Sequence, residues 1–312
     1  MRAIMIFIDG VGLGKNDPQT NPFVFTPTPN ISQMLGGLPL CREAAGFYDE
    51  RLSLLALDAT LGVPGLPQSA TGQASLFTGE NAPLRVGKHV NRYPHQPLKE
   101  LLREKGILGR LVKSGYHPVF YNAYRPEFFQ DLDQGLTRPY SCSTFLTYYA
   151  GLSFRTLEEL NQGKAVYMDI TNDFLARMGY PVDIVEPEEA GCRVIEGSKE
   201  HDFVLFEYFL TDLIGHKMDY QQAGEIVSLL DRFLGTVVQN LDSSTLLIVT
   251  SDHGNLEDIS HQEHTLNPVP ALVAAPLSWR QRHMQSLRDI TGVVPFIYDY
   301  LGDSLAGDKG KI

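Results

Sequence analysis

The densest chemistry in the sequence is the run Thr250-Ser251-Asp252-His253-Gly254-Asn255, followed by His264-Thr265-Leu266-Asn267-Pro268. Carboxylate and imidazole side chains at such spacing suit divalent ions of borderline hardness, and the glycine lets the backbone approach an ion. An Asp-His pair after a strand also reads as a helix cap beside a surface histidine, and taken alone the run divides evenly between the two. A second pair, Asp212 and His216, is four residues apart, which brings an oxygen and an imidazole onto one face of a helical turn. By itself that pair reads more simply as an N-cap with a solvent-facing histidine. The third stretch, Gly65-Leu66-Pro67-Gln68-Ser69-Ala70-Thr71-Gly72-Gln73-Ala74, puts hydroxyls where a helix begins, and the amides there favour an anion. Plain capping competes with that reading too.

These side chains need elements to bring them together. Short apolar runs rich in β-branched and aromatic residues recur at 3–8, 118–121, 165–168, 203–209 and 245–250, and they predict strands. Helical periodicity lies between them, at 97–114, 224–241 and 287–301. The alternation predicts an α/β fold, a three-layer αβα sandwich with a central, mostly parallel sheet. Three of the runs lead into acidic residues: 3–8 into Asp9-Gly10, 203–209 into Thr211-Asp212, and 245–250 into Ser251-Asp252. In a parallel sheet those strand ends share the edge where ligands bind. Residues 125–200 have weak periodicity and scattered Gly and Pro. They read as a small insertion over the site, a partial cap within one domain spanning residues 1–312.

Composition narrows the class. A chain of 312 residues with 43% hydrophobic and 20% charged residues fits neither disorder nor a fibre. Cys41, Cys142 and Cys192 are far apart, which argues against a thiolate zinc site and a redox motif and favours a cytoplasmic location. No apolar run approaches the length needed to cross a bilayer. The net charge of -11 disfavours nucleic acid and anionic membranes as partners. A small anionic substrate then needs local positive charge, which metal ions supply.

The ordered set of motifs resembles the alkaline phosphatase superfamily of metalloenzymes, and within it the metal-binding domain of cofactor-independent phosphoglycerate mutases. Those proteins carry an early D-G, an S-x-x-G nucleophile turn, a D-x-x-x-H, an S-D-H-G-N and an H-T-x-N. Here the set stands as Asp9-Gly10, Ser69-Ala70-Thr71-Gly72, Asp212 to His216, Ser251 to Asn255, and His264-Thr265-Leu266-Asn267. The resemblance implies two divalent ions, manganese or zinc before magnesium. Asp212, His216 and His264 would hold one; Asp9, Asp252, His253 and the Ser69 hydroxyl would hold the other. His261 competes with His264, and Thr71 with Ser69, but motif spacing favours His264 and Ser69. The other histidines, His89, His95, His117, His201 and His283, lie outside any motif.

What the resemblance implies is phosphoryl transfer through a phosphoserine at Ser69. Residues 70–211, 142 in all, are too few to hold core elements and a full mutase cap, and Gln73 stands where those mutases usually have histidine. Hydrolysis of a phosphate mono- or diester is therefore the first expectation, a phosphomutase the alternative, and a non-catalytic metal-binding scaffold a third. Sulfate-ester hydrolysis is disfavoured, because the Ser69 turn lacks the C/S-x-P-S-R context of sulfatases. Arg85, Lys88, His89, Asn91 and Arg92 form a basic cluster after the nucleophile helix, suited to phosphate or carboxylate oxygens. A solvated loop is the simpler explanation for them.

Overall fold

A computed structural model describes residues 1–302; the last ten residues of the expected domain range lie outside the described residues. Six strands form one sheet: β1 (Arg2–Ile8), β2 (Leu52–Leu57), β3 (Pro118–Phe120), β4 (Phe203–Tyr208), β5 (Thr245–Thr250) and β6 (Val269–Ala274). Their order is β2-β6-β5-β1-β4-β3. The β1, β3, β4 and β5 pairings are parallel, whereas β6 runs antiparallel to both β5 and β2. The sheet is thus mixed and mostly parallel, as the sequence predicts.

Eight helices matter for the site and its support. They are α1 (Ser69–Thr78), α2 (Gln96–Lys105), α3 (Ile107–Lys113), α4 (Cys142–Tyr149), α5 (Pro187–Glu200), α6 (Leu210–Lys217), α7 (Tyr220–Gln239) and α8 (Val293–Leu301). Strand β1 is central and buried on both faces, because alternate side chains serve two cores. Ala3, Met5 and Phe7 join the core under α1, α2, α4 and α8, while Ile4, Ile6 and Ile8 join the one under α5 and α7.

Four expectations need correction. Residues 165–168 make no sheet strand; Val166 forms a single bridge to Asn122, and the chain then turns through left-handed Ile170 and Asn172. The expected helix at 97–114 breaks at Gly106, whose backbone is extended; a Cβ there would lie 2.3 Å from the Leu102 carbonyl oxygen. The helix expected from 287 begins only at Val293, after a tight turn in which Asp289 accepts from the Thr291 amide. Strands β2 and β6 were not expected at all. Leu52–Leu57 has no β-branched residue, and Pro270 within Val269–Ala274 argues against a strand. Pro270 sits outside the part of β6 that pairs with β5.

Residues 125–200 contain α4, which packs on α1, α2 and α3, and α5, which packs on α7 and β4. Leu160, Ala165, Tyr167 and Leu175 gather with Ala123 into a separate small apolar cluster.

Candidate metal centre and nucleophile

Asp9 follows β1, Asp252 follows β5 and Asp212 lies in the first turn of α6 just beyond β4, so three adjacent strands deliver three carboxylates to one sheet edge. The α6 helix places His216 one turn past Asp212, with His216 Nε2 3.4 Å from Asp212 Oδ2. His264 Nε2 lies 3.5 Å from Asp212 Oδ1 and 3.2 Å from His216 Nε2. His253 Nε2 is 3.3 Å from Asp9 Oδ1 and 3.5 Å from Asp252 Oδ2, and its ring stacks on His264 at 3.8 Å between centroids. Ser69 opens α1, and its Oγ lies 3.1 Å from His253 Nε2. All seven residues expected from the motifs therefore meet.

The competing candidates fall away from this centre. Thr71 Oγ1 donates to the Gln68 carbonyl and accepts from the Val90 amide, so its hydroxyl is already engaged. His261 is exposed and faces Asp258 at 3.8 Å. His89 reaches the Val63 carbonyl, His283 stacks on Trp279, and His201 contacts Arg155. His95 and His117 are exposed.

Two features fit the centre to a cation. Each imidazole has Nδ1 against a backbone carbonyl: Pro67 for His264 at 2.8 Å, Gln262 for His216 at 2.6 Å, and more loosely Gly254 for His253 at 3.4 Å. A carbonyl only accepts, so Nδ1 carries the proton and the Nε2 lone pairs turn inward, the arrangement of metal-binding histidines. Asp9 Oδ1 and Asp252 Oδ2 are buried without a hydrogen-bond partner, although buried carboxylate oxygens ordinarily have one. Two clusters of ligand atoms lie within 4.8 Å of one another, Asp9-Asp252-His253 and Asp212-His253-His264. His253 reaches both, while motif order assigns it to one.

The chain is similar to several known proteins. The model of the Metalloenzyme superfamily matches residues 183–296, which hold Asp212, His216, Asp252, His253 and His264. A 2,3-bisphosphoglycerate-independent phosphoglycerate mutase of Halobacterium salinarum is 33% identical over 32% of this chain and 21% of its own length. Phosphopentomutase of Levilactobacillus brevis is 27% identical over 68% of this chain and 54% of its own. The alkaline phosphatase of the Antarctic bacterium TAB5 shares the fold, with a TM-score of 0.53 at 12% identity over 97% of this chain and 98% of its own. The family match, the relatives and the shared fold together support an alkaline phosphatase-superfamily metalloenzyme. The chain spans between a fifth and about half of the length of these curated relatives.

The carboxylates and imidazoles of the centre perturb one another. Burial, and then the neighbouring Asp9, push the Asp252 carboxyl well above the usual carboxylate range. Burial opposes ionisation of Asp212 as well, but hydrogen bonds from His216 and His264 win and hold its carboxyl well below that range. Burial would keep the His253 imidazole neutral, yet Asp252 and Asp9 outweigh it and push its pKa up to about 10.

Sequence reasoning missed two buried acids and underrated one amide. Gln73 Nε2 donates to Asp9 Oδ2 at 3.1 Å, orienting that carboxylate. Glu257 binds the loops around the site. Glu207 shares the α1-facing side of β4 with Phe203 and Leu205, and accepts from Ser143 Oγ at 2.5 Å. A lone acid at a core position of a buried strand is a signal the sequence does carry. Burial raises Glu207 to about 8, opposed by the Ser143 hydroxyl and aided by Asp9.

The sign of the Glu207 effect is fixed. A carboxyl raised on folding stabilises fully below its unfolded value and loses that contribution as pH rises through the folded value. Glu207→Gln is accordingly expected to gain on the wild type between pH 5 and pH 8, by several degrees in the melting temperature of metal-free protein. Parallel melting curves of the two proteins would refute a raised Glu207.

Proposed function

We propose that the chain is a metal-dependent phosphoryl-transfer enzyme working through a phosphoserine on Ser69, and that it is a phosphomutase acting on a small phosphorylated metabolite. The observation that carries the reading is the convergence of three carboxylates and three inward-facing imidazole Nε2 atoms beside the Ser69 hydroxyl. Asp212, His216 and His264 would hold one divalent ion, and Asp9, Asp252, His253 and Ser69 the other. Manganese or zinc fits this N/O donor set better than magnesium. When bound, such ions lower the pKa of the hydroxyl and neutralise the phosphate oxygens.

The chain's residues do the rest. Ser69 Oγ forms the bond to phosphorus while the ester P–O bond breaks, and the leaving alcohol takes up a proton. Ser69 stands at the start of the ten-residue helix α1, whose first amides favour an anion. In a phosphomutase the phosphoryl group then passes to another hydroxyl of the same substrate and Ser69 is regenerated. The loop carrying Lys88, His89 and Arg92 is tied to α1 through Val90 and Thr71, beside the nucleophile, and would meet the substrate's remaining anionic groups. Neither nucleic acid nor membrane is a partner in this reading, which suits a cytoplasmic enzyme.

The names of the curated relatives, a phosphoglycerate mutase and a phosphopentomutase, favour isomerisation over the hydrolysis expected from the sequence alone. Hydrolysis keeps one specific support. Residues 70–211 also have to supply the core elements β3, β4 and helices α2 to α5, which leaves room for only a partial cap to keep water from a phosphoserine. Metal-defined protein assayed on 3-phosphoglycerate, a pentose 1-phosphate, p-nitrophenyl phosphate and its bis ester separates the two. Isomerised product without free phosphate supports the mutase; stoichiometric phosphate or nitrophenol supports the hydrolase. Turnover that needs no divalent ion would overturn both.

A further inference from the structure

Glu257 is 1% exposed, yet among the described residues none of its hydrogen bonds or ion pairs is with a basic side chain. Its charge is met instead by four donors, which saturate both oxygens. Oε2 accepts from the backbone amides of Gly12 and Asn255, each at 2.8 Å. Oε1 accepts from Asn267 Nδ2 at 3.0 Å and from the Thr265 hydroxyl. Hydrogen bonds to an ionised acceptor are the strong ones, and burial makes the loss of any of them expensive.

The donors are not scattered. Gly12 is three residues past Asp9, Asn255 two past His253, and Thr265 directly follows His264. Asn255 passes the connection on, its Nδ2 donating to Asp212 Oδ1 at 3.1 Å. One carboxylate that touches no candidate ligand thus ties together the loops carrying Asp9, His253 and His264, and reaches Asp212 through one intermediary. The backbone has closed around it. A Cβ on Gly12 or on Gly254 would lie 2.3 Å from Glu257 Oε1, so any larger residue at either place would push the carboxylate out.

We infer that Glu257 is a positioning residue that sets the spacing between the two ligand groups before any ion arrives. This rests on the two-ion reading of the centre. The amide of Gln would turn a donor toward two of the four donors, and the side chain of Asp is one carbon too short to reach both pairs. Outer partners of metal sites typically cost 10–100-fold in affinity when removed.

The test uses the full chain as wild type, Glu257→Gln and Thr265→Val, the last removing a single donor in case the first does not fold. Manganese binding by calorimetry and the spin-coupled dimanganese EPR signal are read together, with side-chain nitrogen NMR of the imidazoles in metal-free protein. Expected are two ions and a coupled signal in the wild type, and a loss of about tenfold or more in affinity with the coupling abolished in Glu257→Gln. Thr265→Val should show a smaller loss in the same direction. The metal-free variants should keep cooperative melting while the resonances of His253 and His264 shift. Wild-type affinity and coupling in a folded Glu257→Gln would overturn the inference. A wild type that binds fewer than two ions would overturn the two-ion reading instead, and the imidazole spectra would then decide on Glu257 alone: unchanged resonances would refute a positioning role.

Discussion

Ser69→Ala is expected to lower turnover of whichever phosphoester the enzyme accepts by about a thousandfold or more, while leaving its melting temperature and carboxylate-held metal nearly unchanged. The hydroxyl is one small group at the start of a fully buried helix, and its loss opens no large cavity. Thr71, two residues on, has its hydroxyl committed to Gln68 and Val90, and a helical turn directs it elsewhere. Steady-state rates with metal analysis on the same preparations check the prediction. Turnover within tenfold of wild type would remove Ser69 from the reaction.

Asp252→Asn should show opposite signs for stability and function. Asp252 is fully buried beside Asp9, and burial and that neighbour both oppose its ionisation. The metal-free wild type therefore bears a penalty at neutral pH that the isosteric amide removes. A raised carboxyl contributes stability fully below its unfolded value and loses it as pH rises through the folded value, so the variant's advantage should be greatest at neutral and alkaline pH and vanish in acid. With metal the order reverses. Two ions at a thousandfold over their dissociation constants would add about 4 kcal/mol per site to the wild type, and the variant forfeits much of this. Its turnover should fall by at least about a hundredfold. Differential scanning calorimetry with and without manganese reads both signs, and a metal-free variant less stable than wild type at pH 8 would contradict the charge balance described here.

The three acids of the centre were legible in the sequence because their positions depend on local order, whereas the assignment of His253, His264 and Ser69 rested on the motifs' resemblance to the alkaline phosphatase superfamily. A buried parallel strand ends at the sheet edge, and Asp9 and Asp252 lie one and two residues past such an end. Asp212 and His216 need only a helical turn. What could not be read were pairings set by distant chain. Strand β6 is antiparallel and contains Pro270, and β2 lacks β-branched residues, so both owe their place to the neighbours they pair with. Glu257 looks like any surface acid until Gly12, Asn255, Thr265 and Asn267 are brought around it. The alternation of glycines at 10, 12 and 14 is the one local hint that something approaches the backbone closely there. Residues 165–168 went wrong for the opposite reason: an apolar run of four, closed by a strained turn, is long enough to suggest a strand and too short to join the sheet.

The most direct single measurement is acid quenching of the metal-loaded enzyme in the first turnovers, followed by peptide mass spectrometry. The expected result is one phosphoryl group on the peptide containing Ser69, appearing in a burst and absent from Ser69→Ala. Productive turnover with Ser69 unmodified throughout, or with the phosphoryl group on another side chain, would contradict transfer through this serine.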